Sequence, residues 1–273
     1  MVNRKGVFST GIMITTVFCG DQLLVSYLRP SKIDGAKHAW AILSLLVKRF
    51  RRSWPDVHII FRGGSGFCRR RMLSWCDQNN VGYIVGIAKN SRLNRQSEEL
   101  QKLAQAQYEE TGEKQRLFDS IEYAAGTCDR SRRVVVKAEH SWRGPNPRYV
   151  VTNLSGEDHE LYDNLYCARG ELENRIKEQQ LGLFADRTRC QKWWPNQFRL
   201  LLSSIAYVIL ESIRRLCLGA TDLSRSQVNT IRLKLLKIGA VIVRNTRRVQ
   251  ILLSSCYPYQ QLFAKIAAHL ALG

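Results

Sequence analysis

Apolar positions along this chain fall into short continuous runs, helical stripes and a few alternating stretches, and their order already predicts an architecture. Val17–Leu28 (VFCGDQLLVSYL) places two apolar arms around Gly20-Asp21, which predicts a hairpin. In Gly35–Arg52, Ala39, Ile42, Leu43, Leu46, Val47 and Phe50 keep the i, i+3, i+4 spacing of an amphipathic helix. Val57–Phe61 is an apolar run that stops at Arg62-Gly63-Gly64-Ser65-Gly66, the pattern of a buried strand closed by a tight turn. Phe67–Gln78 returns to helical spacing, and Val81–Ala88 (VGYIVGIA) reads as a second buried strand. Hairpin, helix, strand, helix and strand in that order predict a mixed sheet with helices packed on it.

The second half is organised differently. Ser91–Glu113 is polar and helical, and Phe118–Leu154 turns β-rich. We read Ser91–Ser155 as a largely β insertion, dividing the chain into a first core part (1–90), the insertion (91–155) and a completing part (156–273). Leu161–Gln180 predicts one helix, and Pro195 opens a long one reaching about Leu218. Its most apolar part, Leu200–Leu210, is too short to span a bilayer and reads as a core helix. Ser224–Ile238 predicts a helix, Ala240–Ser254 a hairpin turning near Asn245-Thr246, and Tyr257–Leu272 a closing helix. Met1–Thr16 has no clean period and predicts at most a makeshift strand.

Charge changes the picture. The formal net charge is +19, spread along the chain: 1–160 holds 25 Lys and Arg against 16 Asp and Glu, and 161–273 holds 17 against 7. A basic surface on the folded body favours a polyanionic partner, nucleic acid before membrane. The eight cysteines include no C-x-x-C pair and no histidine at finger spacing, so a zinc site is not expected. With no signal peptide, the expected setting is the reducing cytoplasm.

Candidate chemistry concentrates at two places. The turn after Val57–Phe61 stands where α/β folds collect ligands. On Leu161–Gln180, Tyr166, Arg169 and Glu173 follow at three and four residues, on one helix face, and Lys177 extends it. Spacing alone leaves a solvated face laced with Arg169–Glu173 and Glu173–Lys177 pairs as the competing account. Arg69-Arg70-Arg71 suits phosphate contacts or a solvated helix start. Trp193-Trp194, beside Arg187, Arg189 and Lys192, suits either stacking on DNA or internal packing.

Taken together, FRGGSGFC, YIVGIAKN and YCARGELENRIKEQQLGLFADR resemble the DDE transposases of bacterial insertion sequences, in the group with a Tyr-Arg-Glu-Lys signature. The resemblance runs from about Val17 to the C-terminus. It implies an α/β, ribonuclease-H-like mixed sheet flanked by helices, with a β-rich insertion and a helical C-terminal part. It also implies DNA as partner, a homodimer as one assembly, and a pair of Mg²⁺ ions held by three carboxylates for cleavage and strand transfer. By position, Glu173 is the third acid and the remnant metal ligand. Tyr166 and Arg169 match DNA-contacting residues, and Arg62, Arg69 and Lys177 join them as DNA-binding candidates. The signature lysine falls at Gln180, so Lys177 is the substitute. The second acid falls at Gly64. No Asp or Glu precedes Asp21, which sits in a predicted turn, and Asp56 and Asp77 are not expected to reach the site. We therefore expect an N-terminally truncated, inactive relative, or a non-catalytic remnant that occupies DNA or pairs with an intact transposase.

Overall fold

The computed structural model describes residues 12–126, 129–187 and 189–271, with the backbone alone of Ile12 and Arg169. Most of the unpatterned N-terminus and Cys128 therefore lie outside the described residues.

The chain opens with hairpin β1 (Ile12–Cys19) and β2 (Gln22–Pro30). Gly20, at φ +55, supplies the left-handed residue of its turn. The hairpin is longer than expected, because Ile12–Thr16, which shows no sequence period, is recruited into β1 opposite Ser26–Pro30. Helix α1 (Ala39–Ser53) buries Ala39, Leu43 and Val47, the predicted stripe. Next come β3 (Ile60–Gly63), a 3₁₀ turn (Ser65–Phe67), α2 (Arg70–Gln78) and β4 (Gly82–Ile87). Strand β3 starts three residues later than predicted, so Arg62 and Gly63 belong to the strand. Among the described strands it pairs only with β4, in parallel, which leaves it half-exposed at the sheet edge instead of buried.

Helices α3 (Ser91–Gln96) and α4 (Glu98–Thr111) follow, with the Asn90 side chain capping α3 through the Leu93 amide. Then come β5 (Gln115–Tyr123), β6 (Arg132–Ser141), the short β7 (Gly144–Pro145) and β8 (Arg148–Thr152). These strands of the 91–155 stretch extend the sheet of β3 and β4. The order is β3-β4-β8-β6-β5, with β8 antiparallel to both β4 and β6.

The stretch expected to be one helix is broken. It runs as a short α5 (Asp158–Glu160), a π turn (Leu161–Tyr166), α6 (Arg169–Lys177) and a second π turn (Glu178–Gly182). Cys167 N–H bonds back five residues to Tyr162, then Gly170 N–H bonds back only three to Cys167. A wide turn and a tight turn thus follow one another just before α6. Gly170, a poor helix former, sits at the break. The chain closes with α7 (Trp193–Cys217), α8 (Val228–Ile231) and a π turn (Arg232–Leu236) where one helix was predicted. Hairpin β9 (Ala240–Arg244) with β10 (Val249–Leu253) and α9 (Gln260–Ala271) follow.

These elements form two compact units, 1–32 with 172–273 and 33–171. In the second, sheet residues alternate between two buried faces. Tyr83, Val85, Val134, Val136, Tyr149 and Val151 pack with Met72, Leu73 and Cys76 of α2 and the α1 stripe. Ile84, Val135 and Val150 pack on the other side with Leu161 and Tyr162. Burial on both faces is why these strands read as unbroken apolar runs. In the first unit, β1–β2 lies on α7. Phe18 meets Tyr207 edge-on at 5.6 Å, and the Tyr207 hydroxyl donates to the Asp21 carbonyl at 3.1 Å. Helix α7 buries Leu200, Ser203, Tyr207 and Leu210, but much of the apolar stretch read as a core helix is uncovered: Leu202 is 51% exposed and Ile205 56%.

Candidate active site

The turn after β3 keeps the place of a site at the C-terminal end of a parallel strand pair. Gly63 lies opposite Val85 in the β3–β4 register, so Gly64 and Ser65 stand beside Gly86 where the two strands end. The turn is held by Phe67 N–H to the Gly64 carbonyl (2.9 Å) and Cys68 N–H to the Ser65 carbonyl (3.3 Å). Gly64 itself has φ −79 and ψ 175, an extended conformation open to any residue. It is the N-cap position of the 3₁₀ turn, a place that favours Asp. The backbone thus offers a seat suited to a carboxylate, and the residue on it has no side chain.

Two predicted residues converge on this seat from within the same unit. The Arg62 guanidinium donates to the Leu165 carbonyl at 2.8 Å, tying β3 to the first π turn. The Tyr166 hydroxyl lies against Gly86, where an added Cβ would come within 2.5 Å of it and 3.2 Å of the Ser65 nitrogen. Gly86 is therefore a close-approach glycine that lets the phenol reach the turn, and nothing in the sequence marks it as such. Tyr166 is also stacked in a row, 5.5 Å from the Tyr162 ring, which is 5.6 Å from Phe118. Burial first, and the Cys167 thiol beside it, push the Tyr162 hydroxyl well above the ordinary phenol range.

Of the other candidates, two lie in the first unit and two arginines of this unit are engaged. Glu173 and Lys177 belong to the first unit, Glu173 half-buried and Lys177 exposed. The Arg169 side chain lies outside the described atoms. Arg69 faces Asp34 with Nη2 at 3.0 Å from Oδ2 and Nε at 3.2 Å, so one guanidinium of the Arg69–Arg71 run is already committed. Arg71 lies over the Trp40 ring at 3.8 Å. The Trp pair divides its roles: Trp193 packs against Leu28, Ala185 and Leu200, and Trp194 is exposed.

The two other early acids have partners of their own. Asp77 is held by Arg130, by Arg132 at 3.2 Å and by the Asn153 amide at 3.3 Å. That amide's oxygen accepts from Tyr83 N–H at the start of β4, the opposite end of the strand pair from Gly64. Asp21 sits in the β1–β2 turn with Arg175 on it at 2.5 Å. Among the described residues no group of three or more His, Cys, Asp and Glu side chains could hold a metal ion. Among the described residues of this unit, the donors at the turn are a backbone, a guanidinium and a phenol, which by themselves do not fit the oxygen-rich shell that Mg²⁺ requires.

A mixed sheet flanked by helices, with a turn of this kind at a strand's end and a helical C-terminal part, is the ribonuclease-H-like architecture of DDE enzymes. The family model for the transposase DDE domain of group 1 matches residues 14–272, and the chain belongs to that family. No curated protein matches the chain. DDE transposases generally use divalent metal, and their family implies DNA as partner. No helix among the described residues is long and apolar enough to cross a membrane.

Proposed function

We propose that this chain is a transposase by descent, of the bacterial insertion-sequence kind, that has kept DNA binding and lost metal-dependent cleavage and strand transfer. The observation that carries this reading is Gly64: an extended N-cap residue at the end of β3, with no carboxylate, in the position that the resemblance assigns to the second acid. Glu173 stands at the third acid's position, and with a glycine at the second the carboxylate set that would hold a pair of Mg²⁺ ions is incomplete. Arg62, Tyr166, Arg169, Arg69 and Lys177 are the DNA-contacting residues on this reading, Lys177 standing in for the signature lysine. The chain acts in the cytoplasm by occupying DNA, as a homodimer or paired with an intact transposase.

The test is a nicking assay on supercoiled DNA with and without added Mg²⁺. We expect no metal-dependent product from the native chain. Product that appears with Mg²⁺ and vanishes in Glu173→Gln overturns the inactive reading. Gly64→Asp alone is expected to stay inactive, and activity in that variant would show that the remaining acids are complete.

A further inference from the structure

The last 51 residues of the chain carry charge of one sign only. From Leu223 to Gly273 there are eight Lys and Arg and no Asp or Glu. Three of these arginines are gathered at the end of one element. Strands β9 and β10 pair from Ala240 with Leu253 to Arg244 with Val249, and Arg247 and Arg248 lie in the connecting turn. The turn is built, not slack: the Asn245 side-chain oxygen accepts from Arg247 N–H at 3.0 Å and Arg248 N–H at 2.8 Å, and Asn245 N–H donates to the Arg248 carbonyl at 3.0 Å. Every residue of the hairpin is exposed.

These arginines differ from the ion-paired ones of the chain. Arg69, Arg116, Arg130, Arg132, Arg133, Arg175 and Arg214 each face a carboxylate. Among the described residues, Arg244, Arg247 and Arg248 face none. Three guanidinium groups on one ordered tip repel one another, and the surrounding sequence supplies no acid to offset that repulsion. A polyanion would, and the guanidinium fork matches phosphate oxygens in pairs. A two-stranded ribbon is also narrow enough to enter the major groove of duplex DNA.

We propose that the tip of the β9–β10 hairpin is a binding site for the phosphate backbone of duplex DNA, with Arg244, Arg247 and Arg248 as its contacts. This rests on the DNA-binding reading above and adds a place to it, in a segment that carries none of the resemblance's signature residues. Each phosphate neutralised lowers the slope of log K against log salt by about 0.9, so the three arginines account for roughly 2 to 3 of the total slope.

The experiment is a salt titration of the full chain on a fluorescent random duplex of about 30 base pairs, longer than the roughly 10-bp turn a single module covers. Four proteins are compared: native, Arg244→Ala/Arg247→Ala/Arg248→Ala, the corresponding triple lysine variant, and Arg95→Ala/Lys102→Ala on α3 and α4. We expect the alanine triple to lose about 2 to 3 units of slope, the lysine triple to keep the slope, and the α3–α4 variant to stay near native. If the native chain does not bind the duplex, the DNA-binding reading itself fails and the tip with it. If the native chain binds and the alanine triple keeps its slope, the tip proposal alone fails. It also fails if the lysine triple loses the slope, because phosphate charge is then not what the tip reads. Equal losses in the α3–α4 variant would mean that net charge alone binds DNA. Tighter binding to anionic vesicles than to the duplex would assign the tip to a membrane surface.

Discussion

Strand β6 and the hairpin β9–β10 are written in nearly the same letters and live in opposite environments. RRVVVKAE in β6 buries Val134, Val135 and Val136 completely, with helices on one face and the Leu161–Tyr162 turn on the other. AVIVR and VQILL in the hairpin expose every residue. The charges divide in the same way. Arg132 and Arg133 of β6 are paired with Asp77, Asp129 and Asp158, whereas the hairpin's arginines have no such partners among the described residues. A β-rich apolar segment with flanking arginines is therefore a core strand where a sheet and acids surround it, and an unpartnered ribbon where they do not. A two-stranded ribbon by itself is marginal in water, so what surrounds it decides its function.

The sharpest test of this contrast compares buried and exposed positions. Ile84→Ala on β4, fully buried, is expected to lower unfolding free energy by about 2 to 5 kcal/mol in urea denaturation. Ile242→Ala in the hairpin is expected to change it by less than about 0.5 kcal/mol. A comparable loss at Ile242 would mean that the hairpin is packed against something.

Arginine gives the next test. Arg132→Met removes one of the partners of Asp77 and one of Asp129, and a clear loss of unfolding free energy in urea is expected, against almost none for Arg247→Ala. Gly86→Ala should cost about 1 to 3 kcal/mol through overpacking on the Tyr166 hydroxyl. Adding Tyr166→Phe should recover part of that loss. No recovery would mean that Tyr166 does not sit over Gly86.

Acid should weaken the sheet unit through a known group. Burial raises the Glu139 carboxyl, but hydrogen bonds from Lys137, Lys114 and Asn146 outweigh it and hold the group at about 2, below its ordinary 4.5. The stability this contributes is complete above about 4.5 and is lost as pH falls from there to about 2. Glu139→Gln should flatten that limb of a melting-temperature profile. The smallest expected effect is Gly64→Asp, within a few tenths of a kcal/mol, because the extended N-cap backbone already accepts an aspartate.

The family was legible in the turn and helix motifs because those strings are long. The α1 stripe, β4 and the C-terminal hairpin were legible because each is a local pattern. The glycine at position 64, where the resemblance places an acid, needed nothing beyond the sequence. Other features depended on what lay far away in the chain. Ile12–Thr16 has no period, yet it becomes strand because β2 offers it hydrogen bonds. The helix predicted from Leu161 to Gln180 is interrupted at Cys167 and Ala168, where wide and tight turns replace α spacing. Gly86 gained its role from Tyr166, 80 residues later. The sequence by itself determined local pattern and chemical inventory, through φ/ψ preference and side-chain period. Tertiary structure decided which apolar faces are covered and which arginines meet an acid, because burial and pairing depend on neighbours distant in sequence.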